Sequence, residues 1–206
     1  MTTIAFIGLG NMGAPMAANL VEAGFPVKAY DINLNAVQQV ADKGGIACHS
    51  LEELAGSDIY ITMLQNGAQV KQVCIDDKQA LMAQASKKSL FIDCSSIDVE
   101  SARILHDEAK AKGLLSLDAP VSGGISGATS GQLTLMLGGS KAAFNKAQEV
   151  LEVLGNKIIH TGADGTGQAA KICNNMILGI SMAAISEAYA LAEKLGLSKQ
   201  KLFDVS

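Results

Sequence analysis

Three glycines have the spacing that lets a turn and a helix bind a nucleotide. Gly8, Gly10 and Gly13 form a G-x-G-x-x-G pattern between an apolar run and a helical pattern. In this setting the first glycine permits a tight turn, the second lets the backbone approach a pyrophosphate, and the third lets the helix pack close to its strand. The helix N-terminus offers its amides to the phosphates. The predicted contact residues are Gly8, Leu9, Gly10, Asn11, Met12 and Gly13.

Asp31 indicates which dinucleotide binds. It ends the second predicted strand, 18 residues after Gly13. A carboxylate at this place accepts hydrogen bonds from the ribose hydroxyls of NAD and repels the 2′-phosphate of NADP. Residues 32–34 supply no cation for such a phosphate. We therefore expect NAD as the cofactor; an Asp31 that caps the next helix or is simply solvated is the alternative.

A lysine and an asparagine one helical turn apart, Lys171 and Asn175, are the best candidates for acid/base chemistry. Residues four apart on a helix share a face. A desolvated lysine has a lowered pKa, so it can exchange a proton with a hydroxyl group. A solvated surface lysine is the alternative. The histidines are weaker candidates, because His49 and His106 belong to surface-helix patterns and His160 ends a strand without an evident carboxylate partner.

The segment Ser122-Gly123-Gly124 could bind an anion. It follows a predicted strand and Pro120. Consecutive glycines let backbone amides converge on one point, which suits a substrate carboxylate. A flexible loop is the alternative for the same residues.

Alternating strands and helices must position these residues. The run 3–7, the helical pattern after Gly13 and the strand ending at Tyr30 form a β-turn-α-β unit, and the alternation continues to a strand at 157–160. Residues 58–64 are almost continuously apolar, as expected of a central parallel strand. Residues 120–131 are expected to form a Gly/Ser-rich loop. The pattern predicts an α/β fold, a Rossmann-type, doubly wound, mostly parallel sheet.

The pattern changes after this sheet. Apolar residues recur at helical spacing from Thr166 to Leu195, Gly196 stops the helix, and Ser198 caps another. We therefore expect a dinucleotide-binding domain over 1–163, and over 164–206 a long interdomain helix that opens an all-helical domain, incomplete here.

Composition argues against several classes of partner. The formal net charge is −4 and there is no basic run, so nucleic acid is not expected. No apolar stretch approaches the roughly 20 residues that span a bilayer, and the first residues lead directly into a strand, so no membrane partner and a cytoplasmic location are expected. Four dispersed cysteines indicate reduced core thiols. Three scattered histidines give no metal-ligand spacing, so no metal is expected.

Three segments together resemble one known family. Residues 6–16 (FIGLGNMGAPM) look like the opening signature of the β-hydroxyacid dehydrogenases, 118–124 (DAPVSGG) resemble the substrate-binding segment, and 165–175 (GTGQAAKICNN) resemble the catalytic segment. The resemblance implies an NAD-dependent dehydrogenase of a small 3-hydroxy acid. It implies that Lys171 is the acid/base and that Asn175 holds the substrate near it.

The resemblance also implies roles for other residues. Ser122, Gly123, Gly124 and Asn174 correspond to substrate-binding positions. Ser96 matches a position near the nicotinamide, and Met63, Leu64 and Asn66 match the strand end that passes under the cofactor. Gln65 departs from the family, which usually has proline there. Family members continue through a helical domain that supplies a second lysine and builds a dimer or tetramer. None of that domain follows Ser206 here, so we expect either a fragment of a longer protein or a naturally short chain that is not active alone.

Rival functions remain open. A reductase of the same family, of the tartronate-semialdehyde type, would run the chemistry in the opposite direction. A non-catalytic dinucleotide-binding module is favoured by the missing helical half, whereas Lys171 and Asn175 argue against it. A serine hydrolase is not expected, because the sequence has no G-x-S-x-G elbow.

Overall fold

The computed structural model describes residues 2–76 and 79–206. The strands are β1 (Ile4–Ile7), β2 (Val27–Tyr30), β3 (Ile46–Ala47), β4 (Ile59–Thr62), β5 (Leu90–Asp93), β6 (Leu115–Asp118), β7 (Val121–Ser122), β8 (Leu133–Gly139) and β9 (Gly155–Gly162). The helices are α1 (Gly13–Glu22), α2 (Leu34–Ala41), α3 (Gly67–Lys71), α4 (Leu81–Gln84), α5 (Val99–Ala111), α6 (Gly124–Ser130), α7 (Lys141–Leu154), α8 (Thr166–Lys194) and α9 (Lys199–Val205). A 3-10 turn spans Glu52–Leu54 and a π-helical turn spans Gln72–Asp76.

The strands form a single twisted sheet in the order β3-β2-β1-β4-β5-β6-β8-β7, with β9 beside β8. Strands β1 to β6 pair in parallel, β8 runs antiparallel to β6 and β7, and β9 runs parallel to β8. Because β1 lies between β2 and β4, the strand order reverses there. A crevice opens outside the carboxyl ends of strands at such a point. The predicted doubly wound, mostly parallel sheet is confirmed.

Helices cover both faces of the sheet, because successive strand residues point to opposite sides. Phe6 and Leu20 belong to the apolar layer that includes α1 and α7. Tyr60 and Phe91 belong to the opposite layer, where their rings stack with centroids 4.7 Å apart. All four residues of β1, β4 and β5 are buried. Burial on both faces explains why these strands have almost continuous apolar sequences.

Side-chain caps start several helices where the sequence predicts them. Asn33 accepts a hydrogen bond from Asn35 N at α2, Asp98 from Ser101 N at α5, and Ser198 from Lys201 N at α9. The sequence also predicts that Ser50 caps a small helix, which is wrong, since the turn there is a 3-10 turn that begins after Leu51. The sequence further predicts helices at about 67–74 and 78–84. The structure has α3 and the π-helical turn over 67–76 and α4 over 81–84, while residues 77 and 78 lie outside the described part of the chain.

The prediction of a loop over 120–131 is also wrong. Val121 and Ser122 form β7, which pairs antiparallel with β8, and residues 124–130 form α6. Gly123 (φ 138°) and Gly124 (φ 62°) adopt backbone conformations that other residues rarely take, and they turn the chain from strand into helix. The Gly/Ser-rich composition hid both elements, because they are short and carry little apolar periodicity.

The chain divides into two compact units, Met1–Lys171 and Ile172–Ser206. The second unit contains most of α8 and all of α9, and many of its large apolar side chains are exposed, among them Met176, Ile177, Ile180 and Ile185. By length and composition α8 could cross a membrane, with a mean hydropathy of 1.3 over its most apolar window. The expectation that no apolar stretch reaches that length is therefore wrong, although core helices of water-soluble proteins pass the same test.

The cysteines only partly match their prediction. Cys48, Cys74 and Cys94 are free and buried, whereas Cys173 is free and exposed on α8. The expectation of core thiols is therefore wrong for Cys173, whose stretch of α8 exposes nearly all its side chains.

Asp93, the last residue of β5, is a buried carboxyl at the carboxyl edge of the sheet. Its Oδ1 accepts hydrogen bonds from Thr62 Oγ1 (2.8 Å) and Ser95 N (3.1 Å), while Oδ2 has no hydrogen-bond partner among the described residues. It borders a small internal cavity of about 20 Å³. Burial, with a smaller contribution from the nearby carboxylate of Asp118, raises the pKa of Asp93 from 3.8 to about 6.

This raised pKa predicts how stability changes with pH. Between about pH 4 and pH 6 the folded chain binds a proton at Asp93 that the unfolded chain has released, so this group lowers the free energy of unfolding as pH rises. The isosteric Asp93→Asn change removes the titration. We expect the stability of the wild type relative to Asp93→Asn to fall by about 2–3 kcal/mol between pH 4 and pH 7 in urea unfolding.

The control is Asp107→Asn, which removes a largely exposed carboxyl from α5. It should leave the pH dependence almost unchanged. Equal differences between wild type and Asp93→Asn at both pH values would contradict the assignment.

Candidate functional site

The glycine turn after β1 has the close contacts that its sequence requires. Gly8 has φ +94°, and a Cβ there would lie 2.3 Å from the carbonyl oxygen of Met63. A Cβ on Gly13 would lie 1.8 Å from the carbonyl oxygen of Gly8. No atom lies within 4 Å of a Cβ built on Gly10. The first and third glycines therefore pack α1 against the strands, while the second faces open space.

The N-terminus of α1 is available to an anion. Its N-cap residue, Met12, makes no side-chain hydrogen bond to the helix, and the first turn carries no acidic residue. Gly10 and Asn11 are exposed, Met12 is half-buried, and Leu9 is buried. An uncapped helix end with exposed backbone fits a pyrophosphate group.

Asp31 is held at the carboxyl end of β2 by two backbone amides. Its Oδ2 accepts a hydrogen bond from Leu9 N (2.6 Å), and its Oδ1 accepts one from Asn33 N (2.7 Å). Each carboxylate oxygen has a further lone pair, so two ribose hydroxyls can still donate to Asp31. The bond to Leu9 fixes Asp31 against the glycine turn.

A cleft of about 430 Å³ lies at this turn. The predicted residues Gly8, Gly10, Asp31, Met63 and Leu64 line it. Sequence reasoning missed its other lining residues, which are mostly apolar or amide side chains: Ile7, Tyr30, Ile32, Leu51, Gln65, Gln69, Gln72 and Val73. Its size, its apolar walls and the carboxylate at its rim fit the adenosine part of a dinucleotide. The predicted residues Leu9, Asn11, Met12, Gly13, Asn66 and Ser96 lie outside its lining.

The ends of β4 and β5 are tied together beside this cleft. Ser95 is buried, and its Oγ accepts a hydrogen bond from Leu64 N (2.8 Å). Asn66 caps α3 by accepting from Gln69 N (2.9 Å), while Ser96 is exposed. Gln65 N donates to Gln69 Oε1 (3.1 Å), so the turn at the position where the family usually has proline is held by a side chain. Ser95 was not predicted, since the sequence does not show which of two adjacent serines points inward.

The segment Ser122-Gly123-Gly124 lies between β7 and α6. Ser122 is half-buried and both glycines are exposed, with the positive φ angles already given. The exposed backbone of this turn can approach a ligand without interference from a Cβ.

Lys171 is the last residue of the first unit and lies on α8, six residues after Gly165. It is half-buried, and burial lowers the pKa of its ammonium group. A lysine in this condition is a better proton acceptor at neutral pH than a solvated one. Asn174 and Asn175 belong to the second unit, where both are exposed.

Two residues that were not predicted as site residues hold the first turn of α8, although both lie in the segments that resemble the family, 118–124 and 165–175. Asp118, 2 % exposed at the end of β6, accepts hydrogen bonds from Gly165 N (2.9 Å) and Gln168 N (2.8 Å). The fully buried Gln168 donates from Nε2 to Ser95 O (2.7 Å), and its Oε1 accepts from Ile97 N (3.2 Å). The position of Asp118 at a strand end was a signal that could have identified it.

His106 was predicted in a surface-helix pattern, and this is wrong. It is 2 % exposed on α5, with Nε2 2.9 Å from Asp118 Oδ1 and Nδ1 2.6 Å from Ser116 Oγ. His160 lies within β9, with Nε2 2.8 Å from the carbonyl oxygen of Gly139. Within residues 2–76 and 79–206 no cluster of His, Cys, Asp and Glu side chains could hold a metal ion.

Two known protein families match consecutive parts of the chain. Residues 3–162 match the family described as the NAD binding domain of 6-phosphogluconate dehydrogenase. Residues 165–206 match the family described as the NAD-binding of NADP-dependent 3-hydroxyisobutyrate dehydrogenase.

Individual relatives match the chain along its whole length. A probable 3-hydroxyisobutyrate dehydrogenase of Mycobacterium tuberculosis is 51 % identical over 206 residues, which are 100 % of this chain and 69 % of the relative. The 3-hydroxyisobutyrate dehydrogenase of Pseudomonas aeruginosa is 47 % identical over the same shares of both chains. The solved structure of the M. tuberculosis 3-hydroxyisobutyrate dehydrogenase with L-serine superposes with a TM-score of 0.95 at 50 % identity, and covers 100 % of this chain and 69 % of that one.

These matches agree with the glycine turn, the Asp31 carboxylate and the sheet topology, and they confirm the resemblance seen in the sequence. The chain belongs to the β-hydroxyacid dehydrogenase family and is an NAD-dependent oxidoreductase.

Proposed function

We propose that this protein oxidises 3-hydroxyisobutyrate to methylmalonate semialdehyde, with Lys171 as the acid/base. The observation that carries the proposal is the partly buried Lys171, whose pKa burial lowers. The names of the relatives support the substrate, and the same reaction in the cell would be a step of valine breakdown.

Each proposed residue has one task in this reaction. The amides at the start of α1 hold the pyrophosphate, and Asp31 orients the adenosine ribose. NAD, when bound, supplies the hydride acceptor. The turn Ser122-Gly123-Gly124 binds the substrate carboxylate through backbone amides. Lys171 Nζ, when neutral, takes the proton of the substrate hydroxyl group, and in the reverse direction the ammonium returns it. Asn174 and Asn175 hold the substrate, and Ser96 lies near the nicotinamide.

L-Serine is a second candidate substrate. The solved M. tuberculosis relative contains L-serine, and L-serine is itself a 3-hydroxy acid. A backbone site for the carboxylate and a lysine for the hydroxyl proton would serve both compounds. The two differ at carbon 2, which bears a methyl group in one and an ammonium group in the other, so a direct comparison of their rates separates the candidates.

Further proposals concern the setting of the enzyme. We propose a cytoplasmic location, and association as a homodimer or homotetramer when the rest of the helical domain is present. We propose a functional division at about residues 163–164, between the cofactor domain and the interdomain helix.

The role of Lys171 predicts the effect of its removal. Lys171→Ala should lower kcat for 3-hydroxyisobutyrate oxidation by about 10²–10⁴-fold, the usual share of general acid/base catalysis, and should leave NADH binding within about twofold of the wild type. The rise of kcat with pH should be absent in Lys171→Ala, because oxidation requires the neutral amine of Lys171 and this variant has none. NADH formation on the 206-residue chain and on any longer product of its gene measures turnover with 3-hydroxyisobutyrate, L-serine and other 3-hydroxy acids.

Lys157→Ala, which removes an exposed lysine from β9, is the matched control and should keep full activity. Small primary amines should partly restore Lys171→Ala by replacing the missing base. Undiminished turnover by Lys171→Ala would refute the acid/base role. If the 206-residue chain and any longer product of its gene bind NADH but turn over none of the 3-hydroxy acids, the result would instead favour a non-catalytic dinucleotide-binding module.

Asp31 predicts a preference for NAD over NADP. Asp31→Asn removes the negative charge while keeping the shape of the side chain, so NADH binding should weaken about tenfold and the preference over NADPH should shrink by at least that factor. Fluorescence titration with NADH and NADPH measures both affinities, and the chain contains no tryptophan to interfere. Asp42→Asn, at an exposed carboxyl beyond α2, should bind like the wild type. An unchanged preference in Asp31→Asn would rule out Asp31 as the selecting residue.

A further inference from the structure

We propose that Asp118 is a positioning residue for this reaction: its carboxylate holds the first turn of α8 on the sheet and thereby keeps Lys171 in its partly buried place. The inference rests on the proposed function, in which Lys171 is the acid/base. It assigns a task to a buried carboxylate that is not among the residues lining the cofactor cleft.

Asp118 acts as the cap of α8 from a distant strand. Helix α8 begins at Thr166, and Asp118 accepts hydrogen bonds from Gly165 N and Gln168 N, the residue before the helix and the third residue within it. A helix N-terminus leaves these amides without partners inside the helix, and a carboxylate there also interacts favourably with the helix dipole. Lys171 follows Gln168 by less than one turn, so a displacement of this turn displaces Lys171.

The first turn of α8 contacts the sheet at two glycines, Gly138 and Gly167, where no side chain separates the two backbones. A Cβ on Gly167 would lie 2.4 Å from Met136 O and 2.5 Å from Asp118 O. A Cβ on Gly138 would lie 2.3 Å from Asp118 Oδ1 and 2.8 Å from the backbone nitrogens of Thr166 and Gly167. Gly138 pairs with Asp118 on one side and with Gly162 on the other. The helix therefore starts on the sheet itself, with Asp118 as its hydrogen-bond acceptor.

Other residues orient the Asp118 carboxylate. His106 Nε2 lies 2.9 Å from Asp118 Oδ1, and Asp164 lies 3.5 Å from the other ring nitrogen of His106. The buried carboxyl of Asp93 lies close enough to Asp118 for the two groups to interact electrostatically. The side chain of Gln168 bonds to Ser95 and Ile97, so the same turn is tied to the segment that precedes and follows Ser96.

The test is the pKa of Lys171, measured on the folded chain. Asp118→Asn keeps the size of the side chain but replaces an acceptor oxygen with an NH₂ group that faces an N–H donor. We expect the first turn of α8 to loosen, Lys171 to become more solvated, and its pKa to rise toward the ordinary value of a solvated lysine. NMR titration of the chain labelled with ¹³C at lysine Cε reports this pKa, with the Lys171 signal assigned by its loss in Lys171→Arg.

The matched control is Ser140→Ala, which removes a cap from a different helix. Ser140 Oγ accepts from Ala143 N at the start of α7, and α7 does not carry Lys171. Its loss should leave the pKa of Lys171 unchanged. In turnover assays, Asp118→Asn should lower kcat at least tenfold at neutral pH and should leave KM for NAD unchanged. The rise of kcat with pH should occur at a higher pH than in the wild type.

An unchanged pKa of Lys171 in folded Asp118→Asn overturns the inference. If Asp118→Asn does not fold, His106→Ala is measured in its place, because this change removes one partner of Asp118 and leaves both of its hydrogen bonds to backbone amides at the start of α8. His106→Ala should raise the pKa of Lys171 by a smaller amount than Asp118→Asn. An unchanged pKa of Lys171 in His106→Ala would overturn the inference. The two failures are distinguishable. Lys171→Ala with full turnover overturns the proposed function and with it the positioning role, whereas inactive Lys171→Ala with an unshifted pKa in Asp118→Asn overturns the positioning role alone.

Discussion

The hydrogen bonds from Gly165 and Gln168 to Asp118 connect the sheet to the helix that carries Lys171. A buried carboxylate is costly unless donors surround it, and Asp118 meets this requirement with two helix amides and His106. The requirement acts in both directions, because the helix amides would themselves be left without partners if Asp118 were absent. The position of Lys171, the proposed acid/base, thus depends on a residue more than 50 positions before it in the chain.

The cofactor side of the site depends on a different constraint, the absence of side chains. Gly8 and Gly13 allow the turn after β1 to touch β4 and α1 at distances that any Cβ would forbid. The resulting turn brings Leu9 N to Asp31, so the residue proposed to select the cofactor is held by the turn proposed to bind its phosphates. In this proposal, phosphate binding and ribose recognition depend on the same turn.

Much of the fold could be predicted from the sequence, because buried parallel strands are continuously apolar and helix caps are local signals. The glycine pattern and Asp31 were found for the same reason, since both belong to one short β-turn-α-β unit. The residues that were missed act over long sequence distances. Asp118, His106 and Gln168 look ordinary in their own segments, and their burial arises only when β6, α5 and α8 meet. The helix α6 was missed because its composition is that of a loop.

The sequence separation of these contacts has a consequence for the order of folding. All the described residues that line the cleft lie between Ile7 and Val73, so its lining comes from the first four strands and the segments that join and follow them. The contact between Asp118 and the start of α8 closes a loop of 47 residues that includes β7, β8 and β9. Contacts that close long loops form late, because the entropy of closure must be overcome before they contribute. During synthesis and refolding the chain is thus expected to form its nucleotide cleft before Lys171 reaches its partly buried position.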